Sequence, residues 1–267
     1  MALPADERLE ALELAAAGSG RPLHLLEKDI WVVWTLNALF TAVFGQHLVF
    51  KGGTSLSKAY GIIERFSEDI DVTYDIRAIA PDLTGTAPEP LPENPSQLKK
   101  WRKLIEERLP VWIKDVVQPD LHERLRAENL TAALRTDEDC LLLDYEPLAK
   151  GTGYVAPTVR IEFGAKSTGE PSAEIAIACD AAKYLPTLAF PTARPRVLKA
   201  ERTFWEKATA AHAYCLNGTI RGRGAYARHW HDLVKMDEVG ITDLAKADKA
   251  VALAVAHHKA AFFVERT

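Results

Sequence analysis

The chain has 267 residues, 48% hydrophobic and 26% charged, which is enough for a full core and, at this length, for one large domain plus a smaller one. A net charge of −4 excludes a globally basic nucleic-acid binder, so any contact with RNA or DNA has to use local patches. No apolar run reaches the roughly 18 residues of a membrane helix, the start lacks a basic and then apolar leader, and Cys140, Cys179 and Cys215 lack Cys-x-x-Cys spacing, so a cytoplasmic protein with neither a disulfide framework nor a zinc site is expected.

Residues 25–44 are strongly apolar and keep Leu26, Ile30, Val33, Leu36 and Phe40 at helical spacing, with Glu27, Lys28 and Asp29 at the start; this predicts a core helix. Leu48-Val49-Phe50 is a short apolar run that stops at Gly52-Gly53. Thr54 or Ser55 then stands where a helix cap belongs, and Leu56, Ala59, Tyr60 and Ile63 recur at helical intervals. The reading is strand, glycine turn, helix. In the next run, Arg65-Phe66-Ser67-Glu68-Asp69-Ile70-Asp71-Val72, Ile70 and Val72 alternate with Asp69 and Asp71. A strand there puts both carboxylates on one face, with α-carbons roughly 6 to 7 Å apart.

A glycine turn entering a helix supplies backbone N–H groups and hydroxyls for phosphate, and two carboxylates on the next strand can hold the metal that phosphate needs. Lys58 and Arg65 lie near enough in sequence to offset the charge of a triphosphate or of the carboxylates. Each part alone reads as ordinary structure, a capped turn or a solvated strand face. Together, separated by one helix, they point to nucleotidyl transfer.

Residues 76–96 carry Pro81, Pro88, Pro90, Pro92 and Pro95 with Gly85, which predicts a long exposed or partly disordered connection. Residues 97–117 form an expected helix with Trp101, Leu104, Ile105, Leu109, Val111 and Trp112 on its apolar face. Val159, Ile161 and Phe163 alternate with Arg160 and Glu162, so a half-buried strand presents Glu162 as a candidate third carboxylate, either a metal ligand or the base for the attacking hydroxyl. The alternative is an Arg–Glu pair on a solvated face.

From Arg194 the pattern turns helical. Arg194, Arg196, Lys199 and Arg202 make a basic run, and Phe204, Ala208, Ala211 and Cys215 share a face with Lys207 beside it, placed either to snorkel to solvent or to reach a triphosphate. Residues 228–236 start a further helix in which Trp230, Leu233 and Val234 are the expected core residues, and Arg228 and Asp232 stand one turn apart. His257, His258 and Lys259 are expected on a solvated surface.

Leu26-Glu27-Lys28-Asp29, Lys51-Gly52-Gly53-Thr54-Ser55-Leu56, Arg65-x-Ser67-x-Asp69-Ile70-Asp71, Lys207 and Arg228-x-x-x-Asp232-Leu233 together resemble the AbiEii/AbiGii toxin family of nucleotidyltransferases, which includes the MenT toxins and falls in the polymerase-beta-like superfamily. The resemblance implies an α/β (α+β) fold: a small mixed sheet flanked by helices, residues 1–193 with a proline-rich insertion at about 76–96, followed by a helical C-terminal domain, residues 194–267. It implies Gly53 and Ser55 at phosphate, with Gly52, Thr54, Lys58 and Ser67 as neighbouring nucleotide-binding candidates. Asp69 and Asp71 fall at Mg²⁺ (or Mn²⁺), with Glu162 as the candidate third ligand. Lys207 and Asp232 would close over an NTP substrate.

Relatives in that family act as toxins of toxin–antitoxin or phage-abortive systems, some by adding nucleotides to tRNA acceptor ends. An RNA acceptor and an antitoxin from a neighbouring gene are therefore the implied partners. A small-molecule or protein nucleotidyltransferase, and a non-catalytic interaction module descended from such an enzyme, are the alternatives. Convergence of Lys207, Asp232 and Asp69 on one cleft, with the basic run as an RNA patch, is the structural expectation.

Overall fold

In chain order, two N-terminal helices, α1 (Ala5–Ser19) and α2 (Leu23–Thr41), lead into β1 (Leu48–Lys51), α3 (Gly52–Lys58) and β2 (Asp69–Tyr74). Two short helices follow, α4 (Ile76–Ile79) and α5 (Pro81–Thr84), and then α6 (Pro95–Trp112), which passes through a wide π turn at Ile113–Val117 into α7 (Gln118–Ala127). The strands β3 (Ala132–Asp137), β4 (Cys140–Tyr145), β5 (Thr158–Gly164), β6 (Ser172–Glu174), β7 (Ile177–Ala178), β8 (Thr192–Ala193) and β9 (Arg196–Leu198) come next. Among the described residues the last elements are four helices: α8 (Ala200–Asn217), α9 (Arg223–Glu238), α10 (Ile241–Ala247) and α11 (Lys249–Phe262). The computed structural model describes residues 3–65, 69–85, 87–149, 155–217 and 223–262.

Among the described residues the main sheet has seven strands in the order β3-β4-β5-β2-β1-β9-β6, with β7 and β8 as a separate pair. It is mixed: β1 is antiparallel to β2 and parallel to β9, and β2 is parallel to β5. Ile70, Val72, Val159, Ile161 and Phe163 belong to one buried core with Trp31, Val32 and Leu36 of α2 and with Ile105 and Leu109 of α6. The alternation in β2 and β5 therefore works as expected: their apolar residues enter the core, and their carboxylates go to the opposite face. The α/β class with a mixed sheet flanked by helices and a helical C-terminal part is what the family resemblance implied.

Several local expectations change. Glu27, Lys28 and Asp29, placed by the sequence only at the start of α2, are buried there. Each anchors a distant segment, as Glu27 accepts from Leu148 N (3.0 Å), Lys28 donates to Ala156 O (3.1 Å) and Asp29 accepts from Asp180 N (2.6 Å). The proline-rich stretch is partly helical and packed, since Ile76, Ile79 and Ala80 are buried, Asp75 accepts from Arg77 N to cap α4 (2.8 Å), and Asn94 caps α6. Proline at the first turn of α5 and α6 starts helices there, because its missing N–H has no helical partner to lose.

β9 lies in the main sheet beside β1, so the uninterrupted helical run begins at Ala200 rather than at Arg194. That run docks on the nucleotidyl-transfer motif through a small cluster in which Ala200 and Met236 meet Leu56 of α3 and Ile63. Within α9 two of the three expected core residues face outward, Trp230 at 44% and Val234 at 54% exposure, Leu233 is half-buried, and Asp232 and Met236 are fully buried.

Candidate active site

The site grows from strand register. Lys51 pairs with Asp71, Asp71 with Glu162, and Glu162 with Cys140, so one row of side chains crosses β1, β2, β5 and β4 on a single face. Asp69 stands two residues along the same face, opposite Arg160. The two aspartates and Glu162 are thus neighbours, and Arg160 Nε lies 3.8 Å from Glu162 Oε2.

The glycine turn is shaped by Asp71. Gly52 has φ +77°, and a Cβ there would stand 2.0 Å from Asp71 Oδ2, so only glycine accepts both the backbone conformation and the carboxylate against it. The Asp71 carboxyl is raised to about 6, by burial first and then by the neighbouring Glu162 and Asp69, with Lys51 and Lys207 opposing the shift.

α3 begins at Gly52, with Lys51 at the cap position, so neither Thr54 nor Ser55 caps it. Both are fully buried: the Thr54 hydroxyl donates to the carbonyl of Asp69, tying the helix to the start of β2, and the Ser55 hydroxyl donates to Gly52 O (2.9 Å). These hydroxyls hold the turn in shape, leaving backbone N–H groups of the first turn as the phosphate donors the sequence offered. Lys58, expected at phosphate, is instead committed to a buried ion cluster, 2.6 Å from Asp29 and 2.9 Å from Asp180. Ser67 lies outside the described residues.

Over the sheet, α8 and α9 bring in the second half. Asp232 accepts two hydrogen bonds from Arg65 (3.0 and 2.8 Å) and pairs with Lys207 Nζ at 2.9 Å. Burial opposes its ionisation, but the Arg65 guanidinium and Lys207 ammonium outweigh that and hold its pKa at about 2. Lys207 is 8% exposed and within electrostatic reach of Asp71, so Asp232 aims it and the sheet receives it. On α8 the inward stripe is Ala200, Thr203, Lys207 and Ala211, one step round from the apolar face the sequence suggested.

Residues given no role by the sequence also enter. Lys51 does, and its place at the last position of β1, in register with Asp71, was legible once that strand was drawn. Glu206 of α8 and His258 and Lys259 of α11 were not, because only the fold brings α11 against α8. The basic run divides: Arg194 and Lys199 are exposed, whereas Arg202 is 2% exposed and donates to the carbonyl of Glu170, and the half-buried Arg196 bonds Gln46 O and Glu170, both at 2.6 Å.

Asp69, Asp71 and Glu162 offer only hard carboxylate oxygens, the donors Mg²⁺ and Mn²⁺ take. Among the described residues no three His, Cys, Asp or Glu side chains enclose an ion by themselves. Mg²⁺ binding through one or two carboxylates, waters and substrate phosphates needs no such cage. The like charges that push Asp71 up are what a cation would relieve, so the donor set fits.

Residues 34–266 match the family described as nucleotidyl transferase AbiEii toxin, type IV toxin–antitoxin system. No curated protein matches the chain. Among solved structures it is similar to MenT4, a nucleotidyltransferase toxin from Mycobacterium tuberculosis H37Rv, at 20% identity and a TM-score of 0.41, over 78% of this chain and 59% of that one. The chain thus spans under two thirds of that toxin's length, while the family match runs from α2 to the last residues of the sequence. Glycine turn, paired aspartates and the lysine helix all lie inside the matched residues, and the chain belongs to the AbiEii nucleotidyltransferase toxin family.

Proposed function

We propose that this protein is a metal-dependent nucleotidyltransferase that moves NMP from an NTP to a hydroxyl of an RNA acceptor, a tRNA end being the favoured one, and that it works in the cytoplasm as the toxin of a two-gene system with an antitoxin partner. The observation that carries the chemistry is the row Lys51–Asp71–Glu162 with Asp69 beside it, roofed by the Arg65–Asp232–Lys207 cluster. The family supports the toxin role. Among the described residues no helix is long and apolar enough to cross a membrane.

Asp69 and Asp71, with Glu162, would hold Mg²⁺, which supplies charge neutralisation on the triphosphate. The backbone of the Gly52-Gly53 turn receives phosphate oxygens. The acceptor oxygen forms its bond to the α-phosphorus as the α–β anhydride bond breaks, and pyrophosphate carries away the electron pair. Glu162, about half exposed and adjoining Asp71, takes the acceptor proton. Lys207, oriented by Asp232, offsets the charge that builds on the leaving group. Positioning and electrostatics carry most of the barrier reduction.

Asp69→Asn tests the assignment. Incubation with labelled NTP and total RNA should give no labelled RNA with this variant, at unchanged circular dichroism, and substantial transfer would overturn the reading. Label from the wild type on a metabolite or a protein instead of RNA would replace the acceptor while keeping the chemistry.

A further inference from the structure

α2 packs on the apolar face of the sheet, with Trp31, Val32 and Leu36 in the core and the carboxylate row on the opposite face. Beside α2 lies a cavity of about 590 Å³, bounded by α1 and by residues 187–191 ahead of β8. Close-packed interiors leave few voids larger than a water molecule, and this one falls in the size range of small-molecule sites. None of the transferase residues lines it.

Ile30, Trp31 and Trp34 of α2, Leu12 of α1, and Leu188 and Phe190 give the cavity largely apolar walls. The aromatic part is held in place before anything binds. Trp31 stacks on Tyr145 at 5.2 Å and meets Trp34 edge-on at 5.9 Å, and the Trp34 indole N–H donates to Glu128 Oε2 at 2.9 Å. Three charged residues also line the cavity, Arg8, Glu27 and Glu128. Glu27 accepts from Leu148 N at 3.0 and 3.1 Å and Glu128 from Trp34, so both carboxylates already have donors. Arg8 differs: its Nε is sealed from solvent with no hydrogen-bond partner among the described residues. Burial raises the Glu27 carboxyl and the Arg8 charge opposes that shift, so these two charges offset each other.

We propose that this cavity is a second ligand site, for a small uncharged molecule with a flat apolar body and one carbonyl-type acceptor directed at the Arg8 guanidinium. The body lies against the indoles and Phe190, which offer large apolar contact at fixed positions. The acceptor answers the one charged group of the lining whose buried donor is unmet, and that is where a polar contact contributes most. A charged ligand is disfavoured, because Arg8 and Glu27 are already balanced and its charge would enter apolar surroundings without a counter-charge. The site stands apart from the carboxylate row and does not depend on the transferase reading.

The test is a fluorescence titration of the full-length protein with prodan, an uncharged naphthalene carrying one ketone. Binding should shift prodan emission to shorter wavelength and draw energy from tryptophan emission. Dimethylaminonaphthalene, the same body without the ketone, should bind about three- to tenfold more weakly, and the anionic anilinonaphthalene sulfonate more weakly than prodan. Arg8→Met should bring prodan down to the affinity of the ketone-free probe and leave that probe unchanged. Ala11→Trp, which fills the cavity from α1, should abolish binding of both at unchanged circular dichroism. Saturating NTP with Mg²⁺ should leave the prodan affinity as it was. No wild-type binding, displacement by NTP, or binding that survives Ala11→Trp would overturn the site. Equal affinity for the two uncharged probes in the wild type, a comparison that needs no variant, would overturn the role of Arg8, as would a ratio unchanged in Arg8→Met. Tighter binding of the sulfonate would overturn the uncharged class.

Discussion

At the scale of single residues, two aspartates of the site, Asp71 half-buried and Asp232 fully buried, carry opposite signatures. Asp71 has its pKa raised to about 6 by burial and by its carboxylate neighbours, so the folded state prefers it protonated. The sign follows: its ionisation costs stability as pH rises from the ordinary value of 3.8 through about 6, and the cost is complete above that. Asp71→Asn should therefore raise the free energy of urea unfolding at pH 7 to 8 by about 1 to 2 kcal/mol after allowance for its partial exposure, and the gain should vanish below about pH 4. Mg²⁺ should stabilise the wild type more than this variant. Asp232 is the reverse case. Its pKa is held at about 2, so its contribution is present above pH 4 and is lost as pH falls from 3.8 toward 2. Asp232→Asn strands Arg65 and Lys207 without their carboxylate and should cost about 3 kcal/mol in urea unfolding at pH 7, besides lowering kcat.

At the scale of elements, α3 is the short piece on which the site turns. It has seven residues, too few to persist by itself, and it is pinned at both ends. Thr54 ties its first turn to Asp69, while Lys58 ties its last turn to Asp29 of α2 and to Asp180. Burial raises the Asp29 carboxyl and Lys58 opposes that shift, so the pair belongs together in the folded state. Lys58→Ala should leave a buried carboxylate without its cation and lower stability by about 3 kcal/mol. A loss of activity in proportion to the fraction unfolded, with the NTP KM of the folded fraction unchanged, marks this lysine as a pin; a KM rise of tenfold or more in fully folded protein would return it to the phosphate. α8 works differently. Its inward stripe is mostly small or polar, and it carries Lys207 over Asp71 while Phe204 and Trp205 sit half-buried beside it, Trp205 Nε1 reaching Ala245 O of α10 at 3.1 Å.

At the scale of the molecule, the sheet is one half of the cleft and the C-terminal helices are the other. They join in two places, Leu56 and Ile63 against Ala200 and Met236, and Phe262 of α11 in the main core near Trp101 of α6, reinforced by the Arg65–Asp232 pair that crosses from the loop before β2 to α9. The proline-rich stretch packs beside the site, where Glu89 reaches Arg202 at 3.4 Å. Sequence alone determined the strand, glycine turn, helix and Asp-x-Asp order, because periodicity and glycine chemistry are local. It also determined which faces of β2 and β5 are apolar, since a two-residue alternation admits one burial pattern. The partners of the charged residues were decided only by tertiary structure. Lys58 went to Asp29 and Asp180, Arg202 to the carbonyl of Glu170 and to Glu89, and Asp232 to Arg65 and Lys207, each pairing joining segments whose approach no local pattern encodes. Burial makes such pairing obligatory, because a charge taken out of water needs a counter-charge within a few ångströms, and which one it meets depends on how the sheet and the helices close on each other.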